Sequence, residues 1–151
     1  MTLEAMAADH PFLKGFRSEH LKVLAANALP AQFAPNETIF REGEMANRFY
    51  LITGGSVVLE RCFKDRGSVR IQEIGAGDVL GWSWFFPPYY WRMDARAVEQ
   101  TDAVFFYGTR LRQEAEQDHD FGYELMRRVA AVAIQRLQAA RAVAYENTVT
   151  T

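Results

Sequence analysis

The chain has 151 residues, 49% of them apolar and 24% charged, which is the size and composition of one globular domain with its own core. A formal net charge of −2 does not suit a domain that binds DNA through a concentrated basic surface, so direct DNA binding is not expected. No apolar run is long enough to span a bilayer, no signal peptide is recognisable, and a single cysteine excludes an internal disulfide framework. These features predict one cytoplasmic domain over residues 1–151.

The first part of the chain, residues 2–27, is predicted to be helical. Asp9 lies two residues before Pro11, a pattern typical of an N-cap with proline in the first turn. A second helix is predicted to begin at Ser18 and to be ended by Pro30.

Short apolar runs separated by turn residues then occupy residues 31–107, which is typical of a sandwich or barrel. The turn at residues 64–67 predicts a hairpin in which Gly67 supplies a positive φ. The predicted strands are Thr38–Phe40, Arg48–Leu51, Ser56–Cys62, Ser68–Ile74 and Ala103–Tyr107.

Helical periodicity returns over residues 109–146, with a candidate N-cap region at Asp118–Asp120 before a long helix. This helix carries two apolar stripes, so it must bury two faces, either both inside the monomer or one against a second copy. The second choice predicts a homodimer. The first stripe is Met126, Ala130, Ala133, Leu137, Ala140 and Ala144, whose first four members form the predicted dimer seam, and the second is Leu125, Val129, Val132 and Val143.

Four segments, in order, resemble the cyclic-nucleotide-binding domain family: residues 38–44, 48–57, 74–81 and 96–103. They are similar to the family's opening motif, the strand–turn–strand that follows, the strand leading into the phosphate-binding cassette, and the segment leaving it. The resemblance implies a mainly β fold, an eight-stranded antiparallel jelly-roll barrel with N-terminal helices and a long C-terminal helix. It also implies a short cassette helix and loop that cradle a cyclic phosphate.

The cassette departs from the family at its two main polar contacts. The position of the family's ribose-holding glutamate is occupied by Trp82, and its phosphate arginine corresponds to Trp91 by one spacing and to Arg92 by another. An indole donates a hydrogen bond but accepts none, so Trp82 cannot replace a carboxylate. Seven of the eleven residues after Gly81 are aromatic, and they either line a pocket for an altered ligand or pack as a hydrophobic plug.

The resemblance therefore predicts a site for a cyclic nucleotide or another small anionic ligand, and no other cofactor. Ser83 is a candidate donor to an anion, and Asp94 is a candidate acceptor from a ligand hydroxyl. The candidate ligand-binding residues are Gly81, Trp82, Ser83, Trp84, Trp91, Arg92 and Asp94.

Catalytic chemistry is not expected. His10, His20 and His119 all lie in the predicted helical flanks, so they do not converge in the barrel as a metal enzyme of this architecture requires. The sequence shows no nucleophile with a base and an orienting group. Only a short polar tail follows the long helix, so no helix-turn-helix domain is expected.

These observations predict a non-catalytic regulatory sensor module that binds a small ligand and signals through its C-terminal helix to a partner protein in trans. The alternative is a ligand-free interaction scaffold whose pocket is filled by its own aromatic rings. A cavity of several hundred cubic ångströms beside Ser83 and Arg92 would favour the sensor, whereas packed indoles would favour the scaffold.

Overall fold

Two four-stranded antiparallel sheets form a jelly-roll barrel and confirm the predicted fold. The structure is a computed structural model that describes residues 2–7 and 9–150, and the side chains of Val143 and residues 145–150 lie outside this description. The sheet orders are β1–β8–β3–β6 and β2–β7–β4–β5. The strands are β1 Ala28–Phe33, β2 Thr38–Phe40, β3 Arg48–Gly54, β4 Ser56–Phe63, β5 Gly67–Gly75, β6 Val79–Leu80, β7 Asp94–Ala97 and β8 Thr101–Tyr107.

The core of the barrel contains a column of aromatic rings. The ring of Phe49 in β3 stacks on Trp84 and on Phe106 of β8, with both pairs of ring centres 4.7 Å apart. All three side chains are fully buried. Large rings packed face to face in this way bury much apolar area, and they place the cassette residue Trp84 in the structural core.

Helices flank the barrel at both ends of the chain. The α-helices are α1 Leu3–Ala7, α2 Ser18–Ala26, α3 Gly108–Gln117 and α4 His119–Thr150, and two 3-10 helices span Pro11–Leu13 and Ser83–Phe85. No helix in the described ranges is long and apolar enough to cross a membrane.

Two of the predicted helix boundaries are wrong. The N-cap before Pro11 is His10 rather than Asp9, because the imidazole of His10 accepts the N–H of Phe12 at 3.2 Å. The helix α2 ends at Ala26, since the N–H of Asn27 bonds back to the carbonyl of Leu24. Pro30, expected to end that helix, lies inside β1, which begins at Ala28 rather than at about residue 31.

The long helix α4 begins at the predicted cap, because the carboxylate of Asp118 accepts the N–H of Phe121 at 3.2 Å. Its second stripe packs on the rest of the chain: Leu125, Val129 and Val132 are buried, and the side chain of Val143 lies outside the description. The first four members of its first stripe remain partly exposed. There Met126 is 46% and Leu137 60% exposed, with Ala130 and Ala133 half-buried between them.

Candidate functional site

The cassette runs from Gly81, at the end of β6, through the 3-10 helix Ser83–Phe85 to β7. Gly81 has a φ of +95°, a conformation that glycine adopts readily and other residues rarely. A β-carbon at this position would collide with the indole of Trp91, at the far end of the cassette. The backbone of Gly81 thus brings the two ends of the cassette together.

A small cavity lies between the cassette, the barrel and α4. Its volume is about 40 Å³, which is room for roughly three water molecules. Sites for small organic ligands usually have about 300–1,000 Å³, so the cavity is too small for such a ligand in this conformation. The cavity is lined by Phe40, Leu59, Gly81, Trp82, Ser83, Trp91, Arg92, Met93 and Arg136.

The aromatic ring that closes the site is Trp91. It stacks on Phe40 with ring centres 3.8 Å apart and planes 8° from parallel. Arg48 lies on the Trp91 ring as well, with its Cζ 5.9 Å from the ring centre. Trp91 is 3% exposed, and its Nε1–H has no acceptor among the residues described. The residue at one of the two positions predicted for the family's arginine is therefore a packed ring whose donor has no acceptor among the described residues.

Five of the predicted ligand residues line the cavity, and two lie elsewhere. Trp84 is turned into the core against Phe49, where its Nε1–H has no acceptor within the described part of the chain. Asp94 lies at the start of β7, and its carboxylate accepts the N–H of Glu42 at 2.8 Å. The residues that the structure brings together are Gly81, Trp82, Ser83, Trp91 and Arg92.

A contact from α3 holds the cassette helix, and the sequence analysis missed it. The guanidinium of Arg112 donates to the carbonyl of Trp84 at 2.6 Å, and its Cζ lies 3.8 Å from the ring centre of Tyr89. This one side chain therefore ties both the helix and the following loop of the cassette to α3.

Arg136, which was not predicted from the sequence, reaches the cavity from α4. Its side chain is 7% exposed and donates a hydrogen bond to the carbonyl of Val79. Burial lowers the pKa of Arg136, and the nearby negative charge of Asp78 opposes this effect. A signal was present in the sequence, because Arg136 continues the buried stripe four residues after Val132 and seven after Val129.

The chemistry of the lining favours a negatively charged ligand. Arg92 and Arg136 contribute positive charge, Ser83 contributes a hydroxyl, and none of the lining residues is acidic. Within the described ranges, no three His, Cys, Asp or Glu side chains are grouped as a metal site would require. The charges and donors of the lining are therefore complementary to an anion.

The chain is similar in sequence to a known transcriptional regulator. The chain is 23% identical over 128 residues to a CRP-like cAMP-activated global transcriptional regulator from Mycobacterium tuberculosis, and the match covers 85% of this chain and 57% of that protein. The chain thus spans less than two thirds of the curated relative's length.

Solved structures give the same fold. A candidate cyclic nucleotide-binding protein from Geobacter metallireducens GS-15 is 29% identical with a TM-score of 0.76, over 85% of this chain and 92% of that one. The N-terminal domain of a transcriptional regulator from Streptomyces coelicolor A3(2) is 21% identical with a TM-score of 0.68, over 87% and 92% of the two chains.

The profile of the Cyclic nucleotide-binding domain family matches residues 30–118, more than half of the sequence and most of the barrel. The matched residues include the whole cassette and α3. On this match, together with the jelly-roll barrel and the cassette geometry, the chain belongs to the cyclic nucleotide-binding domain family.

Proposed function

We propose that this chain is a non-catalytic regulatory sensor, in which a small ligand in the cassette cavity changes the position of α4. The observation that carries this proposal is a shared cavity: Trp82 and Ser83 line it from the cassette, and Arg136 lines it from α4. A ligand there touches both elements, so it shifts their arrangement if it binds one arrangement more tightly. A regulatory role is supported by the family and by the CRP-like relative, which is described as cAMP-activated.

The ligand is proposed to be cyclic-nucleotide-like or another small anion, rather than cyclic AMP bound in the usual way. The cavity has no carboxylate to hold a ribose hydroxyl, and its volume of about 40 Å³ requires the rings to separate before any nucleotide fits. Opening the stack of Phe40 and Trp91 is therefore part of ligand binding in this proposal.

The output is proposed to pass through α4 to a second copy of the chain and then to a partner protein in the cytoplasm. The partly exposed first stripe of α4 supports the homodimer, since an isolated apolar helix face is costly to leave in water. Direct DNA binding is not proposed, because a net charge of −2 is unlike that of a domain that binds DNA through a basic surface.

The second candidate function is a ligand-free interaction scaffold with a plugged barrel. Two observations favour it: the small cavity of about 40 Å³ and the tight stacking of Trp91 on Phe40. In this case the aromatic rings of the cassette stabilise the fold and bind nothing.

A thermal-shift screen against cyclic nucleotides and other small anions separates the two functions, because a ligand of the native state must raise its stability. At a hundred times its Kd, a ligand adds about 2.7 kcal/mol, which is a rise in Tm of about 5–10 °C for a chain of this size.

Two matched variants locate the binding site. In Met93→Phe a larger side chain grows from the cavity wall, whereas Met45→Phe makes the same change at a residue that is 64% exposed and outside the lining. The sensor predicts a shift in the wild type and in Met45→Phe that is reduced in Met93→Phe. Equal shifts in all three proteins would mean that the ligand binds outside this cavity. If no compound raises the Tm of the wild type, the scaffold is the function that remains.

A further inference from the structure

Arg136 is a buried cation with little compensation. Its side chain is 7% exposed, and within the described residues its one hydrogen-bond acceptor is the carbonyl of Val79. Asp78 is the nearest negative charge, but it forms no ion pair with Arg136 in the described ranges, and its carboxylate accepts the N–H of Gly75 at 2.9 Å. A guanidinium has five N–H donors, so most of them are left without an acceptor in the described part of the protein. Burying a charge in this way is costly unless a partner of opposite charge completes the site.

Other donors line the same cavity. The Nε1–H of Trp91 is buried and has no acceptor in the described part of the chain. The hydroxyl of Ser83, a buried residue, makes no hydrogen bond with the residues described. Arg92 adds a second positive charge at an exposed position of the lining. Donors and cations without any acidic side chain form an environment that is complementary to an anion.

We propose that Arg136 is the anion-binding residue of this cavity, and that the ligand is an aromatic phosphate or carboxylate whose ring enters between Phe40 and Trp91. The inference rests on the proposed sensor function and names the class of its ligand. The planar guanidinium fork binds a phosphate or carboxylate through two hydrogen bonds at once. A flat ring between Phe40 and Trp91 replaces the stacking contact that is lost when those two rings, now 3.8 Å apart, separate.

The position of Arg136 on α4 has a direct consequence for signalling. An arginine on the cassette would hold the anion to the loop alone, whereas Arg136 attaches it to the helix that carries the predicted dimer seam. To form two hydrogen bonds with a ligand, the guanidinium must give up or share its bond to the Val79 carbonyl in β6. Ligand binding thus exchanges a contact between α4 and the barrel for a contact between α4 and the ligand.

The test compares three probes at constant ionic strength: phenyl phosphate, inorganic phosphate, which lacks the ring, and benzyl alcohol, which lacks the charge. Binding is measured by calorimetry and by thermal shift on the wild type, Arg136→Met, Arg136→Lys and Arg127→Met. The Arg127 change removes the same charge from the same helix at an exposed position outside the cavity, so it is the matched control.

We expect phenyl phosphate to bind the wild type more tightly than either of the other two probes. Arg136→Met should weaken phenyl phosphate binding by about 10- to 100-fold, the loss of a charge-assisted contact, while Arg127→Met leaves it unchanged. The affinity of Arg136→Lys for phenyl phosphate should lie between those of the wild type and Arg136→Met. An ammonium group keeps the positive charge but cannot form the paired hydrogen bonds of a guanidinium. Removal of a buried charge should leave the unliganded Arg136→Met variant folded, which circular dichroism checks; if it does not fold, Arg136→Lys carries the test.

Different results overturn different parts of the argument. Equal binding of phenyl phosphate by the wild type and the Arg136 variants would overturn the role of Arg136 and leave the sensor function intact. Binding of benzyl alcohol as tight as that of phenyl phosphate would overturn the anionic class alone. Failure of phenyl phosphate to bind, while a cyclic nucleotide binds the wild type and Arg136→Met equally well, would also overturn the inference. Failure of every probe and every cyclic nucleotide would overturn the sensor function as well.

Discussion

The indole of Trp91 lies so close to Gly81 that a β-carbon on Gly81 would be 2.8 Å from Trp91 Cη2 and 2.9 Å from Cζ3. Real β-carbons do not approach other atoms this closely, so the position of the indole depends on the absence of a side chain at residue 81. The contact joins the first and last parts of the cassette without any polar interaction. It also makes the closed state of the site sensitive to one methyl group.

Gly81→Ala should therefore destabilise the protein or expel Trp91 from the cavity. We expect the free energy of unfolding to fall by about 1–3 kcal/mol from overpacking, in addition to the strain of a positive φ. Gly43→Ala is the matched control, since Gly43 has a φ of +89° and no other atom would lie within 4 Å of its β-carbon. Denaturant unfolding measures both variants. Equal losses at the two positions would show that the contact with Trp91 carries no energy.

Cyclic AMP should bind weakly. The family's ribose-holding glutamate corresponds to Trp82, and its phosphate arginine corresponds to Trp91 by one of the two spacings. Each charge-assisted contact that is lost costs about 1.5–3 kcal/mol. Together the two losses weaken binding roughly a hundredfold or more relative to an intact cassette. Calorimetry on the wild type and on the double variant Trp82→Glu/Trp91→Arg should show tighter binding by the variant. Low-micromolar or tighter binding by the wild type would contradict this prediction and would point to Arg92 as the phosphate contact.

The partly exposed first stripe of α4 predicts a homodimer that one charge disrupts. Ala133→Glu places a carboxylate in the seam of Met126, Ala130 and Leu137, at a cost of several kcal/mol if the charge is buried unpaired. The variant should run as a monomer in light scattering and keep its barrel. Ala142→Glu makes the same change at an exposed position outside the spacing of the seam, and it should stay dimeric. A wild type that is already monomeric at tens of micromolar, roughly where a weak helix pair dissociates, would rule out the seam.

Stability should decrease in mild acid because of His10. Burial lowers the pKa of His10 below its usual 6.5, although its bond with the Asp78 carbonyl partly opposes the effect. The folded protein holds a neutral ring that accepts the N–H of Phe12, whereas the unfolded chain takes up a proton near pH 6.5. The contribution of His10 to the free energy of unfolding is therefore complete above about pH 6.5. It is lost as the pH falls toward the lowered pKa, by at most about 1.4 kcal/mol per pH unit.

The variant His10→Asn isolates this contribution, because asparagine caps the 3-10 helix equally well and does not titrate between pH 5 and 7. Urea unfolding at several pH values should show a smaller loss of stability in acid for His10→Asn than for the wild type. His119→Asn, at an exposed position, should behave like the wild type. A pH dependence that is the same in all three proteins would exclude His10 as its source.

The sequence predicted the strands that carry clear apolar patterns and missed those that do not. Strand β2 was predicted at its observed bounds, because turn residues flank Thr38–Phe40 on both sides. Strand β1 was missed because it contains Pro30, which was expected to end a helix. Proline has no N–H to donate, but it is tolerated in β1 because this strand lies at the edge of its sheet. Strand β7 was not predicted as a strand because Asp94–Ala97 is short and alternates alanine with charged residues.

The candidate site was predicted in its location but not in all of its members. Family resemblance marked the residues of the cassette itself, whereas Arg112 and Arg136 reach the cassette only after α3 and α4 fold back onto the barrel. Periodicity treats an arginine as a solvated residue, so the second stripe of α4 was predicted to contain Val132 and Val143 but not Arg136. Some rings of the cassette face the cavity, whereas Trp84 enters the core. This choice depends on tertiary packing, which no local sequence pattern specifies.

All three tryptophans of the chain lie within one ten-residue stretch of the cassette, from Trp82 to Trp91. The tryptophan fluorescence of the protein therefore reports on the cassette and on its packing against the barrel core, whereas its far-ultraviolet circular dichroism is dominated by the helices, above all α4. The two spectroscopic signals observe separate parts of one molecule, without any label. If the cassette opens before the rest of the fold, the fluorescence transition will precede the dichroism transition on heating; coincident transitions will show that loop and helix unfold as one cooperative unit.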